Sequence, residues 1–400
     1  MKTMITAVLL FVMTTAVVVF YPAQSAIKSV DPVTVHPKSS AISNQRPKIE
    51  VVFVLDTTGS MSGLIAAAKE KIWSIATTMA AAEPAPEISM GLVAFRDRGD
   101  AYVTRVVDLS DDLDSVYSNL MDLEADGGGD GPESVNQALY DAVHNVSWST
   151  DPTSYKVVFL VGDAPAHMDY QNDVKYPETI RQAGHKGIVI NTIQSGQDGN
   201  TRAMWQQIAQ LAEGTSMQVD QDGSAIAIVT PYDKTIASLA KQLDDTRLYF
   251  GTAEEKIAQK ARLDTTEKLH KLSSDAAKAR RATFNASESG AANFLGKGEL
   301  VDAISSGTAD LSSIDEDQLP EEMQAMAPAA RASFIESKVD ARRELHKRIE
   351  EMSADRNDYL KDKVSEMESA EESLDHKLFD TIRQQAAKSG ITYKKEDARY

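Results

Sequence analysis

The sequence predicts an α/β protein: a doubly wound, mostly parallel sheet followed by a mainly α-helical C-terminal region. Three observations carry this. Short runs such as "IEVVFVLD" (49–56) and "YKVVFLVGD" (155–163) are apolar without alternation, as strands buried on both faces are. Stretches of helical spacing separate those runs over about 200 residues, the pattern of a wound parallel sheet. Beyond about Asp245 the strand signals vanish, and Ala, Glu, Lys, Asp and Arg dominate.

The elements follow in order. After the first strand, apolar positions fall at Leu64, Ile65, Ala68, Ile72, Ile75 and Met79, which is helical spacing. "PEISMGLVAF" (86–95) reads as a second strand and "AYVTRVVDL" (101–109) as a third. The short "RDRGD" between them implies a hairpin, so the third strand is antiparallel. Residues 134–146 are helical, and 155–163 form the next buried strand. "YPETIRQAGHKG" is a helix with Gly187 near its stop, ahead of the strand "IVINTI" (188–193). "TRAMWQQIAQLAEG" is a helix ended by Gly214, "TSMQVD" a short last strand, and "YDKTIASLAKQL" a closing helix. Residues 253–288 and 328–388 read as long charged helices, parted by the acidic "SSIDEDQLPEEM" (312–323). In the second of them Leu345, Ile349 and Met352 share a face, followed by Leu360, Val364 and Met367. Arg356 interrupts that stripe, so the region reads as a bundle packed on itself or on the sheet domain, not a sustained coiled coil.

The ends and the composition narrow the function. The chain has 400 residues and a formal net charge of -18, which repels nucleic-acid phosphates. Residues 1–25 carry Lys2, an apolar run from Met4 to Phe20, and small residues in "AQS", as a signal peptide does. The run spans roughly 25 Å as a helix, a little under a bilayer core. A cleaved signal is the first reading and an uncleaved membrane anchor through residues 4–20 the alternative. Either implies export: periplasmic or secreted, or held at the inner membrane. Residues 26–48, with Pro32, Pro37 and Pro47, read as a linker. There is no cysteine, which excludes disulfides and thiolate chemistry.

One stretch raises a chemical question. "VVFVLDTTGSM" (51–61) stops its apolar run at Asp56 and continues with hydroxyls. A residue of this kind before a helix is often only an N-cap. Asp56, Thr58 and Ser60 are also hard oxygen donors, suited to Mg²⁺, Ca²⁺ or Mn²⁺. Two more loops favour the metal. Asp163 ends the buried strand at 155–163, and "ADGGGDGPESV" (125–135) brings Asp130 and Glu133 at the start of a helix. In a doubly wound sheet these loops share the carboxyl edge, where ligands bind.

This set resembles the von Willebrand factor type A family and its metal-ion-dependent adhesion site. The family pattern is Asp-x-Ser/Thr-x-Ser after the first strand, a Thr on a later loop, and an Asp ending the fourth strand. Asp56, Thr58, Ser60 and Asp163 match it. The resemblance covers about residues 49–245, leaving 246–400 as the helical C-terminal region. It implies a Rossmann-like fold, a bound divalent cation with Mg²⁺ ahead of Ca²⁺ or Mn²⁺, and a protein partner. Where the family has a Thr on the middle loop, this chain has "GGGDGPE", so Asp130 takes that role, with Glu133 second to it. A third carboxylate raises cation affinity and weakens capture of an acidic partner group.

The expected function is therefore an exported, cation-binding protein that mediates protein–protein interaction or adhesion at a bacterial envelope. A metal-dependent hydrolase and a protein whose metal only stabilises the fold are the alternatives. No P-loop, G-x-S-x-G or H-E-x-x-H is present, so no enzyme is expected. His167, Asp169 and Asp173 read as a solvated acidic loop, with a partner-binding face beside the metal as the alternative. The tripeptide Arg98-Gly99-Asp100 reads as a charged hairpin tip. Trp73, Trp148 and Trp205 read as packing residues.

Overall fold

A computed structural model describes residues 46–129, 131–221, 228–366 and 374–394. Residues 1–45, which hold the expected signal and most of the linker, lie outside them. Among the described residues no helix is long and apolar enough to cross a membrane. Arg46 and Pro47, expected as linker, already join the sheet: Arg46 Nε donates to the Ala85 carbonyl (3.0 Å) and Glu87 N to that of Pro47 (2.8 Å).

The sheet strands are β1 (Lys48–Asp56), β2 (Glu87–Phe95), β3 (Thr104–Ser110), β4 (Tyr155–Gly162), β5 (Ile188–Ser195) and β6 (Ser216–Val219). Their order is β3-β2-β1-β4-β5-β6, with β3 antiparallel and the others parallel. The chain winds outward one way from β1 through β2 and the other way from β4 through β5. The strand order therefore reverses between β1 and β4, which places a crevice at their carboxyl ends.

The unbroken apolar runs have a simple cause. Val51, Phe53 and Leu55 of β1 face one helical layer, while Val52 and Val54 face the other. The first layer holds α1 (Ser62–Ala80) and α2 (Leu113–Met121); the second holds α3 (Val135–His144), α4 (Tyr176–His185) and α5 (Gly199–Leu211). Trp73 and Trp205 are fully buried, one in each layer, and Trp148 is partly buried. Helix α2 was not anticipated. Its signal was there: Leu113, Val116, Tyr117 and Leu120 are all buried at helical spacing, and the Asp112 side chain caps it by accepting from Ser115 N (3.2 Å).

The C-terminal residues form α6 (Asp233–Asp244), α7 (Ala253–Leu272), α8 (Asp275–Ala286), α9 (Ala291–Leu295), α10 (Leu300–Ser305), α11 (Glu321–Gln324), α12 (Pro328–Ser365) and α13 (Leu374–Ala386). The single helix expected over 253–288 is two, because Ser274 stops one and caps the next by accepting from Ala277 N (3.1 Å). The helix expected over 328–388 ends at Ser365; 367–373 and Met367 lie outside the described residues. Arg356 is no exposed break in the stripe. It is buried and pairs with Asp233 of α6 (2.8 Å).

Three of these helices, α7, α8 and α13, share the sheet's core. Leu269 of α7, Phe284 of α8, and Leu378 and Ile382 of α13 pack in the same cluster as Ile49 and Trp73. A buried charge network binds them further. Arg281 of α8 bridges Asp114 of α2 (Nε–Oδ1, 2.6 Å) and Asp244 of α6 (2.7 Å), and Asp244 also meets Arg247 (3.1 Å) and His270 (2.8 Å). At the C-terminal end, Gln385 exchanges hydrogen bonds with Asn191 of β5 and accepts from Tyr155 Oη of β4 (2.8 Å).

Candidate metal centre

Strand β1 delivers Asp56 to the crevice with 1% of its surface exposed. Its Oδ1 accepts from Thr58 N (2.9 Å) and Thr58 Oγ1 (2.7 Å), which folds the loop back on the carboxylate. Ser60 Oγ lies 3.4 Å from Thr58 Oγ1. Asp56 Oδ2 is buried and has no hydrogen-bond partner. Asp56 does not cap the following helix: residues Gly59–Met61 form a short 3₁₀ turn, and neither that turn nor α1 has a side-chain cap.

The second loop lies across the first. Asp126 N donates to the Thr57 carbonyl (3.1 Å), and Gly59 N to that of Gly127 (3.0 Å). Gly128 has φ +67°, and a Cβ there would sit 2.7 Å from Thr58 Cβ. Only glycine permits both the left-handed turn and this approach. Glu133, 3% exposed, is pinned to the third loop: its N–H donates to the Pro165 carbonyl (2.9 Å) and its carbonyl accepts from His167 N (3.1 Å). Glu133 Oε2 is a second buried oxygen with no partner. Asp130, expected ahead of Glu133, lies outside the described residues.

Asp163 enters from the end of β4. Its Oδ2 accepts from Gln221 Nε2 (2.8 Å), and its carbonyl accepts from Thr201 Oγ1 (3.1 Å). Neither Gln221 nor Thr201 was singled out in the sequence. Thr201 carried a weak signal, as a hydroxyl at the start of a helix on the same edge.

The electrostatics show what this centre lacks. Burial pushes the Asp56 carboxyl up to about 7, against the lowering effect of Thr58, with Asp163 adding repulsion. Burial first, and then repulsion from Asp56, Asp97, Asp100 and Asp163, together push Glu133 up to about 9. Acidic groups are thus crowded around two unpaired oxygens, with no positive side chain among the causes. Unpaired buried oxygens are costly, and a proton or a cation would satisfy them. Among the described residues no three His, Asp or Glu side chains are arranged to hold an ion by themselves. Carboxylates and the hydroxyls of Thr58 and Ser60 line this edge together. That all-oxygen set fits a hard divalent cation.

The rim is built, not solvated. Asp97 accepts from Ser134 Oγ (2.8 Å) and Tyr170 Oη (2.7 Å), and His167 stacks on Tyr170 with ring centroids 3.9 Å apart. Asp173 is buried against Arg98, whose guanidinium also covers the Tyr170 ring (4.2 Å). Of the loop expected to be solvated, Asp169 is exposed and Asp173 is not. The Arg-Gly-Asp tip is likewise engaged, since Asp100 accepts from Gly128 N (3.3 Å).

Residues 50–223 match the family model described as the von Willebrand factor A domain. They form a von Willebrand factor A domain. Solved structures to which the chain is similar include the SpRpn10 VWA domain, at 14% identity and a TM-score of 0.34, covering 44% of this chain and 89% of that one. Two crystal structures of proximal thread matrix protein 1 from the mussel byssus also match. One is 16% identical with a TM-score of 0.33. The other, described with a zinc-occupied MIDAS motif, is 18% identical with a TM-score of 0.34. Each match covers 44% of this chain and 43% of the mussel protein. No curated protein matches the chain.

Proposed function

We propose that this von Willebrand factor A domain binds a divalent cation, Mg²⁺ first, and presents the cation edge to a protein partner at the bacterial envelope. Asp56, Thr58, Ser60, Asp163 and Glu133 would hold the cation, with Asp130 on the same loop as Glu133. The observation that carries the reading is the pair of buried, unpartnered oxygens, Asp56 Oδ2 and Glu133 Oε2, at the switch point of the sheet. When bound, the cation supplies positive charge to the crowded carboxylates and a coordination position for an oxygen from outside. The carboxylates at this edge offset part of that charge, so a neutral or basic partner group suits it better than an acidic one.

Binding is preferred to hydrolysis because His167 is held rather than free. It is stacked on Tyr170 and lies between Asp97 (3.3 Å) and Asp169 (2.7 Å), an arrangement that fixes a loop. The test is affinity capture from an envelope fraction with and without chelator, using wild type and Asp56→Ala. The reading expects a partner retained by wild type with Mg²⁺ and lost in the other arms. Retention in every arm would contradict it.

A further inference from the structure

We propose that Gln221 is an intramolecular place-holder for the cation, a side chain that holds Asp163 until the ion displaces it. This rests on the cation site proposed above. Gln221 follows β6 by two residues, and β6 is the edge strand beside β5, two strands away from Asp163. Its side chain nevertheless reaches back across the carboxyl edge. Nε2 donates to Asp163 Oδ2 (2.8 Å) and approaches the Ser60 carbonyl (3.3 Å). Two of the three ligand loops are thereby joined by one amide group.

Room has been left for that amide. Gly196 has φ +76°, and a Cβ on it would lie 2.5 Å from Gln221 Oε1. Gly196 is itself fixed by β6, its N–H donating to the Val219 carbonyl (2.9 Å), and its carbonyl accepts from Gln218 Nε2 (2.8 Å). The amide nitrogen is a neutral donor placed against an anionic oxygen, the weak version of the contact a cation makes there. Asp56 Oδ2 and Glu133 Oε2 have no such stand-in. A cation on Asp163 Oδ2 therefore competes with the Gln221 amide for the charge of the same oxygen.

The consequence is a competition that can be measured. Mn²⁺ titration of the full chain, by calorimetry and by the loss of free-ion paramagnetic signal, compares wild type, Gln221→Ala and Gln221→Glu. Removing the competing hydrogen bond should tighten Mn²⁺ binding about threefold to tenfold in Gln221→Ala, the range one net hydrogen bond spans. Gln221→Glu, which brings a carboxylate to the same place, should also bind Mn²⁺ more tightly than wild type. Equal affinity in wild type and Gln221→Ala, or weaker binding in Gln221→Glu, overturns the place-holder and leaves the cation site standing. Absence of Mn²⁺ binding in all three proteins overturns the cation reading itself.

Discussion

Asp56 and Gly162 stand side by side at the ends of β1 and β4. A Cβ on Gly162 would lie 3.0 Å from Asp56 Cβ and 3.1 Å from its unpartnered Oδ2. The glycine is what lets a buried carboxylate keep one oxygen open toward the crevice. Trp205 closes the far side, with its ring 3.1 Å from the same point. Gly162→Ala should therefore displace Asp56 and weaken Mn²⁺ binding by about tenfold or more, at a stability loss of about 1–3 kcal/mol from overpacking. Calorimetric titration and chemical denaturation of the variant check both numbers.

Gly128 makes a separate claim about the second loop. Its left-handed backbone and the 2.7 Å approach to Thr58 both exclude a side chain. Gly128→Ala should cost about 1–3 kcal/mol and lift the loop off Thr58. A variant with wild-type melting temperature and Mn²⁺ affinity would show that the loop does not rest there.

The acid groups give the metal-free protein a characteristic pH response. Asp56 rises from 3.8 to about 7 and Glu133 from 4.5 to about 9 in the folded chain. Both folded values are raised, so the fold binds more protons than the unfolded chain. Stability is fully present below about pH 4 and is lost progressively as pH rises, until about 7 for Asp56 and about 9 for Glu133. For Asp56 alone the loss is worth about 4 kcal/mol. In chelator, the melting temperature should fall from pH 5 to pH 9. In Mg²⁺, which compensates the ionised carboxylates, the fall should be much smaller. Parallel curves with and without Mg²⁺ would contradict the site.

Much of the sheet was legible because a strand buried on both faces cannot alternate, and β1, β2, β4 and β5 all show that. The loop at 56–60 was legible because Asp56, Thr58 and Ser60 lie within five residues of sequence. The burial of Glu133 was not legible, because its place depends on a bond to the Pro165 carbonyl, which spacing does not encode. Gln221 was invisible for the same reason: only the reach of its side chain from beyond β6, across the end of β5, makes a surface glutamine a neighbour of Asp163. Arg356 looked like a break in an apolar stripe because its partner, Asp233, lies 123 residues away.

The helical region is predicted to be inseparable from the von Willebrand factor A domain. Arg281 is buried between Asp114 and Asp244, so removing it leaves two carboxylates buried without their main partner. Arg281→Met should cost about 3–5 kcal/mol in equilibrium unfolding. A chain ended at residue 245 should fail to give a cooperative transition. A stable, cooperatively folded 46–245 fragment would contradict the shared core.

The central claim is that the carboxyl edge between β1 and β4 holds a divalent cation through Asp56. Its most direct test is the thermal melting of wild type and Asp56→Asn at pH 8, each in chelator and in excess Mg²⁺. The account predicts that Mg²⁺ raises the melting temperature of wild type by several degrees and leaves Asp56→Asn unmoved, since ligand bound only by the folded state stabilises it by mass action. Wild type with the same melting temperature in chelator and in Mg²⁺ would contradict it.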